Sequence, residues 1–412
     1  MASGSPGVDV ERKRRPKDRK KQIADNASEL FVRNGFHAVR MEDIAAMTDI
    51  TVRALYRHYA HKKALLSHVV TEGQGRYLAA LTAPASEAPG LAPHQLEGLL
   101  QRLVPAALDT RHLALLWQRE ARYLDADDYQ GVRRRLAGIA GEIATAIHAC
   151  LPDVPQSVAE IRAWAILGIL ASPGHHQLAV PRADFESFLL SACRSAVAAQ
   201  VGSSAQSASS AAAAAERPVR MLSSRREELL RSAARAFRRH GYAAVSIDDI
   251  GAQQGIAGPA LYRYFESKAD ILVTLIGRLE EWFTLESVRA LRCADDDVTA
   301  LRGLVAGYVR VALEAPDLVS VSVTESLHLP DTAAERLQRL RHDRSTEWVR
   351  WVSRERPAIP EAAVRLRVNT AMSLVEDTVR VPSVLDHAEL ADELTEIALR
   401  VLFLPSIESS IR

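Results

Sequence analysis

The most informative feature of this sequence is a long internal repeat. When the sequence is shifted by 206 positions, residues 19–66 align with 225–272 without a gap, and 17 of the 48 aligned positions are identical. The identities include Phe31/Phe237, Gly35/Gly241, Ile44/Ile250, Tyr56/Tyr262 and Lys62/Lys268. A single long-period duplication, unlike the short repeats of a solenoid, predicts two copies of one domain.

Composition predicts that both copies are all-α. The length of 412 residues allows two to four domains at roughly 100–200 residues each. Ala, Leu and Arg are prominent, β-branched residues are sparse, and aromatic residues make up only 5% of the chain, which favours helix over sheet. The formal net charge is +1, so any basic surface for a partner must come from local clusters.

Several classes of protein are excluded on composition. The cysteines, Cys150, Cys193 and Cys293, are far apart and lack C-x-x-C spacing, so neither a disulfide scaffold nor a zinc site is predicted. The longest apolar run, 163–171, is much shorter than the roughly 20 residues of a membrane span. The N-terminus has no apolar stretch after its positive charges. We expect a cytoplasmic protein with no membrane partner.

The first copy has the sequence pattern of four helices. An apolar stripe at Ile23, Ala27, Leu30 and Phe31 predicts a helix that ends near 34–35, where Gly35 supplies the left-handed cap. A second, short helix is predicted from Met41 to about Thr48. A tight turn at 49–50 then leads to a third helix, 52–58, capped by Thr51, and Lys62 begins a fourth. Two short helices joined by a tight turn indicate a helix-turn-helix.

The second copy has the same pattern of helices, with different capping and turn residues. Ser246 and Asp249 form a plausible capping pair for its second helix, and Gly255 stands in the turn, where a positive φ is wanted. The third helix is predicted from Gly258 to Tyr264. Pro259 falls in its first turn, where the missing N–H is tolerated.

The end of each third helix carries a recognisable motif. It reads LYRHYAHK at 55–62 and LYRYFESK at 261–268. These segments resemble the DNA-binding domain of the tetracycline-repressor (TetR) family of transcription regulators, whose signature ends in Leu-Tyr-x-His/Tyr-Phe-x-x-Lys. A chain with two such units also resembles the actinobacterial tandem TetR repressors of mammalian-cell-entry lipid-transport operons. The family usually has a small residue where Arg53 and Pro259 stand, and Thr or Ser where Arg40 stands.

The resemblance implies the architecture of each half. A helix-turn-helix domain is followed by a helical ligand-binding and dimerisation domain, whose last two helices pack against those of a partner as a four-helix bundle. Here the matching segments are about 156–171 with 183–199, and about 360–378 with 388–403. Because both copies belong to one chain, we expect an intramolecular pseudo-dimer, and further dimerisation stays open.

Changes in composition divide the chain into six predicted segments. Residues 201–216 are rich in Ser and Ala and are interpreted as a linker, with the alternative that 211–215 begins a helix into the second copy. Residues 83–93, rich in Pro, Ala and Gly, break the first copy in two. The predicted segments are a flexible basic arm (1–16), the first helix-turn-helix domain (17–80), the first regulatory domain (81–200), the linker (201–216), the second helix-turn-helix domain (217–282) and the second regulatory domain (283–412).

Candidate DNA contacts follow from the way a helix-turn-helix docks, with its third helix in the major groove and flanking groups on phosphates. Arg53 can place its guanidinium on a guanine, whereas Pro259 cannot donate, so two unlike half-sites are predicted. By resemblance, the contacts of the first copy are Arg40, Thr51, Val52, Arg53, Tyr56, Arg57, His58 and Lys62. Those of the second are Ser246, Ala257, Gly258, Tyr262, Arg263, Tyr264 and Lys268.

Alternatives accompany several of these residues. Lys62 and Lys268 are expected to hold phosphates, while Tyr56 and Tyr262 could instead pack between helices, and His58 could be an ordinary solvated side chain. Residues 11–22 contain eight basic and two acidic residues. We expect this arm, including Arg14, Arg15 and Lys17, to lie along phosphates or in a minor groove, the alternative being a solvated tail.

The regulatory domains offer weaker candidates. Trp117, Tyr123 and Trp164 could line a pocket, although aromatic residues at helical spacing are more often core residues. Arg119 and Glu120 could orient a ligand, although an ion pair on the helix surface is the more common use of such neighbours. The expected effector is a small, lipid-like molecule.

No catalytic constellation is present. Gly73-x-Gly75 has no preceding strand, and the His175–His176 and His58/His61/His68 groups lack the ligands that would complete a metal site. We therefore expect no enzyme, no cofactor and no metal. The favoured function is a ligand-responsive repressor that places two non-identical recognition helices in successive major grooves of operator DNA. The alternative is a helical scaffold whose degenerate helix-turn-helix units bind other proteins.

Overall fold

A computed structural model describes residues 16–82, 92–176, 178–200, 224–252, 255 and 261–404. Every regular element in these ranges is helical, as predicted. None of the helices in the described part of the chain is long and apolar enough to cross a membrane. The predicted linker, most of the basic arm and residues 256–260 of the second recognition helix lie outside the described residues.

The helices follow one another in the same order in both halves. The first half (16–200) contains α1 (Pro16–Ala38), α2 (Met41–Met47), α3 (Val52–His58), α4 (Lys62–Thr82), α5 (Ala92–Asp109), α6 (Arg111–Arg119), α7 (Ala126–Cys150), α8 (Gln156–Ala171) and α9 (Arg182–Val197). The second half (224–404) contains α10 (Arg225–His240), α11 (Ile247–Ala252), α12 (Lys268–Cys293), α13 (Asp297–Glu314), α14 (Pro316–Glu325), α15 (Asp331–Glu355), α16 (Glu361–Thr378) and α17 (Leu390–Leu402).

The repeat extends beyond the segment in which residues are identical. Helices α5 and α13 both have 18 residues, and α7 and α15 both have 25. From α5 onward the halves correspond at a shift of 205 rather than 206, which pairs Glu120 with Glu325. The regulatory domains therefore come from the same duplication as the helix-turn-helix domains, although few of their residues are still identical.

Local signals set the helix ends where the sequence predicts them. Gly35 has φ 77° inside α1, and Gly241 has φ 79° at the end of α10, so each first helix is broken at a glycine that tolerates the left-handed region. Asp49, in the turn before α3, also has a positive φ of 54°. Short polar side chains tolerate this conformation better than bulky ones do.

Three apolar clusters form the core. One lies in the first helix-turn-helix domain, around Phe31, Ile44 and Leu65, and a second lies in the other helix-turn-helix domain, around Phe237 and Ile271. The third cluster takes residues from both regulatory domains at once. Since the two regulatory domains share one core, the halves are paired within the chain, which confirms the expected intramolecular pseudo-dimer.

The pairing is made by a four-helix bundle of α8, α9, α16 and α17, as the resemblance implied. Helices α8 and α16 cross so closely that a Cβ built on Gly168 would lie 2.9 Å from the Cα of Leu374. The buried Arg162 guanidinium makes two hydrogen bonds to Glu393 of the other half, at 2.9 and 3.0 Å. Arg162 also donates to the carbonyls of Val197 and Ala199.

The close crossing of α8 and α16 can be tested by replacing glycine with alanine at two different positions. Gly168→Ala adds a methyl group against backbone, and we expect the free energy of unfolding to fall by about 1–3 kcal/mol, the usual cost of overpacking. Gly141→Ala makes the same change at an exposed position of α7 where a Cβ meets nothing within 4 Å. It should raise stability by about 0.5–1 kcal/mol. Denaturant unfolding of both variants measures the difference, and shifts of the same sign would contradict the close crossing.

Candidate nucleic-acid interface and effector cavity

The first recognition helix is α3, which is held by the turn that precedes it. The Thr51 hydroxyl accepts a hydrogen bond from the backbone N–H of Ala54 at 3.2 Å, as the sequence predicts. Leu55 points into the domain core and is fully buried. This burial fixes the rotation of α3 about its axis and turns the opposite face outward.

The outward face of α3 carries most of the predicted contacts. Thr51, Arg53, Tyr56 and Arg57 are exposed, with 48% of Tyr56 accessible, while Val52 and His58 are half-buried. Within the described ranges neither arginine forms an ion pair. Exposure of this kind favours contact with a partner over packing of Tyr56 between helices. Unpaired guanidinium groups on an exposed helix are suited to phosphates and guanine bases.

The second recognition surface is described only in part. Tyr262 is 58% exposed, Tyr264 is 39% exposed, and Arg263 is exposed as well. Gly255 has φ 65°, as its place in the turn predicts. Ala257, Gly258 and Pro259 lie outside the described residues. The tyrosines nevertheless occupy an outward surface, like Tyr56 in the first domain.

The second helices begin differently in the two domains. Ser246 forms a full capping box: its hydroxyl accepts from the Asp249 N–H at 3.1 Å, and its own N–H donates to the Asp249 carboxylate at 2.8 Å. Arg40 keeps only half of this arrangement, because its N–H donates to Asp43 while its side chain forms no cap. The exposed Arg40 guanidinium is thereby left available to a partner.

Lys62 and Lys268, expected to hold phosphates, bind backbone carbonyls in this structure. The Lys62 ammonium lies 4.3 Å from the centre of the Phe36 ring and donates to the carbonyls of Phe36 and Val39, both at 2.7 Å. Lys268 does the same with Tyr242 and Val245, at 2.9 and 2.8 Å. Both side chains therefore close the loop between the first two helices of their own domain, and two of the three N–H donors of each ammonium are used there.

Burial changes the protonation equilibrium of these lysines. It lowers the pKa of Lys62, although the carboxylates of Asp43 and Glu120 act in the opposite direction, and it lowers the pKa of Lys268 as well. Two short hydrogen bonds to carbonyl oxygens compensate for the lost hydration. The lysine of the motif thus has a structural role, and its contact with phosphate stays a prediction.

Arg119 and Glu120 do not orient a ligand in this structure, nor do they form a surface pair. The Glu120 side chain is buried and accepts a hydrogen bond from the Phe36 N–H at 3.3 Å. Its counterpart Glu325 accepts from the Tyr242 N–H at 3.0 Å. Burial raises the pKa of Glu120, and the nearby Arg119 guanidinium, at 3.6 Å, opposes this rise. In each half, a buried carboxylate thus ties the helix-turn-helix domain to the regulatory domain.

Tyr123 also lies away from the cavity predicted for it. Its ring stacks on Phe36, with 5.7 Å between ring centres, and its hydroxyl lies against Gly241 of the other half. The neighbouring Arg122 forms a 2.6 Å ion pair with Glu325 across the same boundary. These contacts join the two helix-turn-helix domains through the first regulatory domain.

Trp117 and Trp164 do line a cavity, as expected. We call it the effector cavity, after the role proposed for it below, and its volume is about 220 Å³. Its apolar wall also includes Tyr77, Leu136 and Leu167, and Asp377 and Arg380 from the end of α16 close one side. No local pattern in the sequence pointed to Asp377 and Arg380, because they belong to the other half of the chain.

The polar side of the effector cavity is charged. Asp377 accepts from Gln118 at 3.0 Å and pairs with His175 at 3.3 Å and with Arg380 at 3.1 Å. Burial of the ring opposes a charge on His175, but the Asp377 carboxylate outweighs it and raises the pKa of His175. This network contains one carboxylate for two basic groups.

Comparison with known proteins identifies the repeated domain. The family model "Bacterial regulatory proteins, tetR family" matches residues 23–69 and 229–275. An HTH-type transcriptional regulator of Mycobacterium tuberculosis is 33% identical over 94 residues, which cover 23% of this chain and 40% of that protein. The HTH-type transcriptional activator FasR of Mycolicibacterium smegmatis is 31% identical over 84 residues, covering 20% of this chain and 38% of FasR.

Solved structures of the same family also match. A tetR-family regulatory protein from Rhodococcus RHA1 is 25% identical, with a TM-score of 0.37, and the match covers 43% of this chain and 95% of that one. The chain spans about two fifths of the length of the curated relatives it matches.

The hydrogen bonds from Lys62 to two backbone carbonyls predict that this side chain stabilises the fold. Lys62→Met leaves two carbonyl oxygens without their donor, and we expect about 1.5–3 kcal/mol less stability, the usual value of hydrogen bonds to a charged group. Lys63→Met is the matched control, because Lys63 is exposed and, among the described residues, its ion pair is with exposed Asp125. Its loss should change stability by no more than about 0.5 kcal/mol. Thermal unfolding compares the two variants, and equal effects would show that the carbonyl contacts of Lys62 do not stabilise the fold.

Proposed function

We propose that this chain, whose residues 23–69 and 229–275 are DNA-binding domains of the tetR family, is a ligand-responsive transcription repressor that binds one operator with both domains. The observation that supports this most strongly is the pair of exposed recognition surfaces held in one frame. Tyr56 and Arg57 of the first domain and Tyr262 and Arg263 of the second are exposed at equivalent positions.

The charge distribution supports binding to DNA. Residues 11–72 contain 14 basic and 8 acidic residues, and residues 217–280 contain 11 and 7. Both segments are basic within a chain whose net charge is only +1. Phosphate contacts supply most of the affinity in such complexes, and exposed side chains on the recognition helix supply the sequence preference.

We further propose that the two halves of the operator differ in sequence. Arg53 can make a bidentate contact with guanine, whereas the aligned Pro259 has no donor. Arg40, with a free side chain, aligns with Ser246, whose hydroxyl is used in its own capping box. A single chain with two unlike surfaces has no need of a palindromic site.

The effector cavity supports a response to a ligand. The charged group formed by Gln118, Asp377 and Arg380 joins both halves at its edge, so a molecule bound there contacts both. Glu120 and Glu325 transmit any rearrangement of α6 and α14 to the loops that Lys62 and Lys268 close. A ligand that prefers one arrangement shifts the population of DNA-binding chains.

A reporter assay tests the direction of regulation. We propose repression of lipid-transport or lipid-metabolism genes, on the resemblance to tandem repressors. One matched relative is named an activator. A reporter gene under the promoter next to this protein's own gene, with and without the protein, gives the sign: lower expression in its presence supports repression, and higher expression contradicts it.

The alternative function is a scaffold that binds proteins rather than DNA. A gel-shift assay with the upstream DNA, at several salt concentrations, separates the two. A repressor binds with an affinity that falls steeply as salt rises, because counterions are released from the phosphates. Absence of any shift at low salt would favour the scaffold.

Selection from random DNA tests the two unlike half-sites. We expect the wild-type protein to recover a non-palindromic site. Arg53→Ala should relax the preference at one base pair of one half, with a loss of about 1–3 kcal/mol of discrimination. Tyr262→Ala should weaken the other half. Recovery of a perfect palindrome, or equal changes in both halves from Arg53→Ala, would refute two unlike readers.

Deletion of residues 11–15 tests the basic arm, whose Arg14 and Arg15 lie outside the described residues. If arm residues bind phosphates, the slope of log K against log salt should fall by about 0.9 for each phosphate that the shortened arm no longer neutralises. Arg57→Ala is a comparison within the folded domain and should reduce the slope by a similar amount. An unchanged slope after the deletion would identify the arm as a solvated tail.

A further inference from the structure

A second cavity adjoins the effector cavity and has a very different lining. It has a volume of about 690 Å³ and shares Trp117, Gln118, Tyr129, Arg133 and Arg380 with the first. We call it the arginine cleft, after the guanidinium groups of Arg122, Arg133, Arg235, Arg238, Arg239 and Arg380 that line it. Because the cavities share these residues, one molecule can occupy both.

The charges in the arginine cleft are not balanced. Arg122 is paired with Glu325, Arg238 with Asp317, and Arg380 with Asp377. In the described part of the chain, Arg133, Arg235 and Arg239 have no carboxylate partner. Three positive charges thus face one space without compensation, and planar guanidinium groups bind phosphate oxygens in pairs.

Most residues that line the cleft are not repeated at the pseudo-symmetric place in the molecule. On α1, Glu29 and Val32 stand where α10 has Arg235 and Arg238. On the other wall, Ala334 and Gln338 replace Tyr129 and Arg133, and Leu327 replaces Arg122. A structural requirement of the fold would apply to both halves. Arg239 is repeated as Arg33, but Arg122, Arg133, Arg235 and Arg238 are specific to the boundary between the first regulatory domain and the second helix-turn-helix domain.

We propose that these two cavities together bind an amphipathic organic phosphate. Its apolar part lies in the effector cavity among Trp117, Trp164 and Leu167, and its phosphate-bearing head lies in the arginine cleft. The head bridges Arg133 on α7 to Arg235 and Arg239 on α10, so the ligand fastens the second helix-turn-helix domain to the first regulatory domain. This inference rests on the proposed function and gives its effector a chemical class and a binding site.

The bridging position determines which DNA-binding domain responds. Helix α10 ends at Gly241, which already contacts Tyr123 of the first half, and Lys268 closes the loop that follows. A ligand that draws α10 towards α7 acts on this boundary. The first helix-turn-helix domain, which has Glu29 and Val32 at the equivalent positions, is not engaged by the phosphate.

Calorimetry on the full chain with decyl phosphate tests the site. We expect decyl phosphate to bind at least tenfold more tightly than ethyl phosphate, which lacks the apolar part, and than decanol, which lacks the phosphate. The double variant Arg133→Gln/Arg239→Gln should weaken decyl phosphate at least tenfold. Arg33→Gln is the matched control, because Arg33 aligns with Arg239 and is also exposed. Equal binding of decyl and ethyl phosphate, or equal losses from both variants, would overturn the proposal.

Two further experiments, binding of other phosphate ligands and operator binding with ligand present, identify the source of the phosphate and separate this inference from the proposed function. Decanoyl-coenzyme A and short-chain phosphatidic acid distinguish a soluble thioester from a lipid headgroup, and the tighter binder identifies the source. Saturating decyl phosphate should change affinity for the selected operator at least fivefold, a common size for allosteric coupling.

The two ideas can fail separately. If the wild-type protein binds no operator, the proposed function fails, and calorimetry still decides the ligand site. If the double variant lowers the salt dependence of DNA binding and leaves decyl phosphate binding unchanged, the cleft belongs to the DNA surface and the inference is wrong.

Discussion

The close crossing of α8 and α16 holds the two halves of the molecule together. It places Gly168 against the backbone of Leu374 and merges the apolar faces of both regulatory domains into one core. The buried Arg162–Glu393 pair lies in the same bundle, and the position equivalent to Glu393 in the first half is Phe188. Pairing of two first halves would leave buried Arg162 opposite an apolar ring, and an uncompensated buried charge is strongly destabilising. The ion pair therefore disfavours pairing of two first halves.

Matching buried polar contacts connect the bundle-forming domains to the two helix-turn-helix domains. Glu120 and Glu325 each accept the N–H of one aromatic residue in the loop after the first helix, and the lysine that begins the fourth helix holds two carbonyls of that loop. Among the described residues, Glu325 also receives an arginine from the opposite half and Glu120 does not, because Leu327 stands where Arg122 would be repeated. The second domain is therefore more tightly coupled to its neighbour than the first is.

The two regulatory domains differ in the residues that occupy their interiors. In the first, Trp117, Trp164 and Leu136 surround a cavity, and Gln74 accepts a single hydrogen bond from Arg135. In the second, Glu280 replaces Gln74 and pairs with Arg341 and Arg344, while Tyr308 donates to Glu376 at 2.6 Å. Arg344 and Trp348 occupy the places of Ile139 and Ile143. Larger side chains and ion pairs therefore occupy that interior, and divergence after duplication has given the second half a more polar core.

Local sequence was sufficient to predict the two copies, the helical class and the design of the first helix-turn-helix; of the third helix predicted at 258–264, the described residues show Leu261 in a helix and 262–264 in a turn. Those features depend on neighbours within a few residues: Gly35 ends a helix because of its own φ, and Thr51 caps α3 through an N–H three residues away. The exposed face of α3 was predictable too, since Leu55 sets it by periodicity. The direction of the Lys62 ammonium was not, because its acceptors lie in a loop 23 and 26 residues earlier. The cavity wall was not predictable either, because Gln118 binds Asp377, which lies 259 positions later in the sequence. Only the packing of one half on the other brings those groups together, and no local pattern records which distant residues will share a buried boundary.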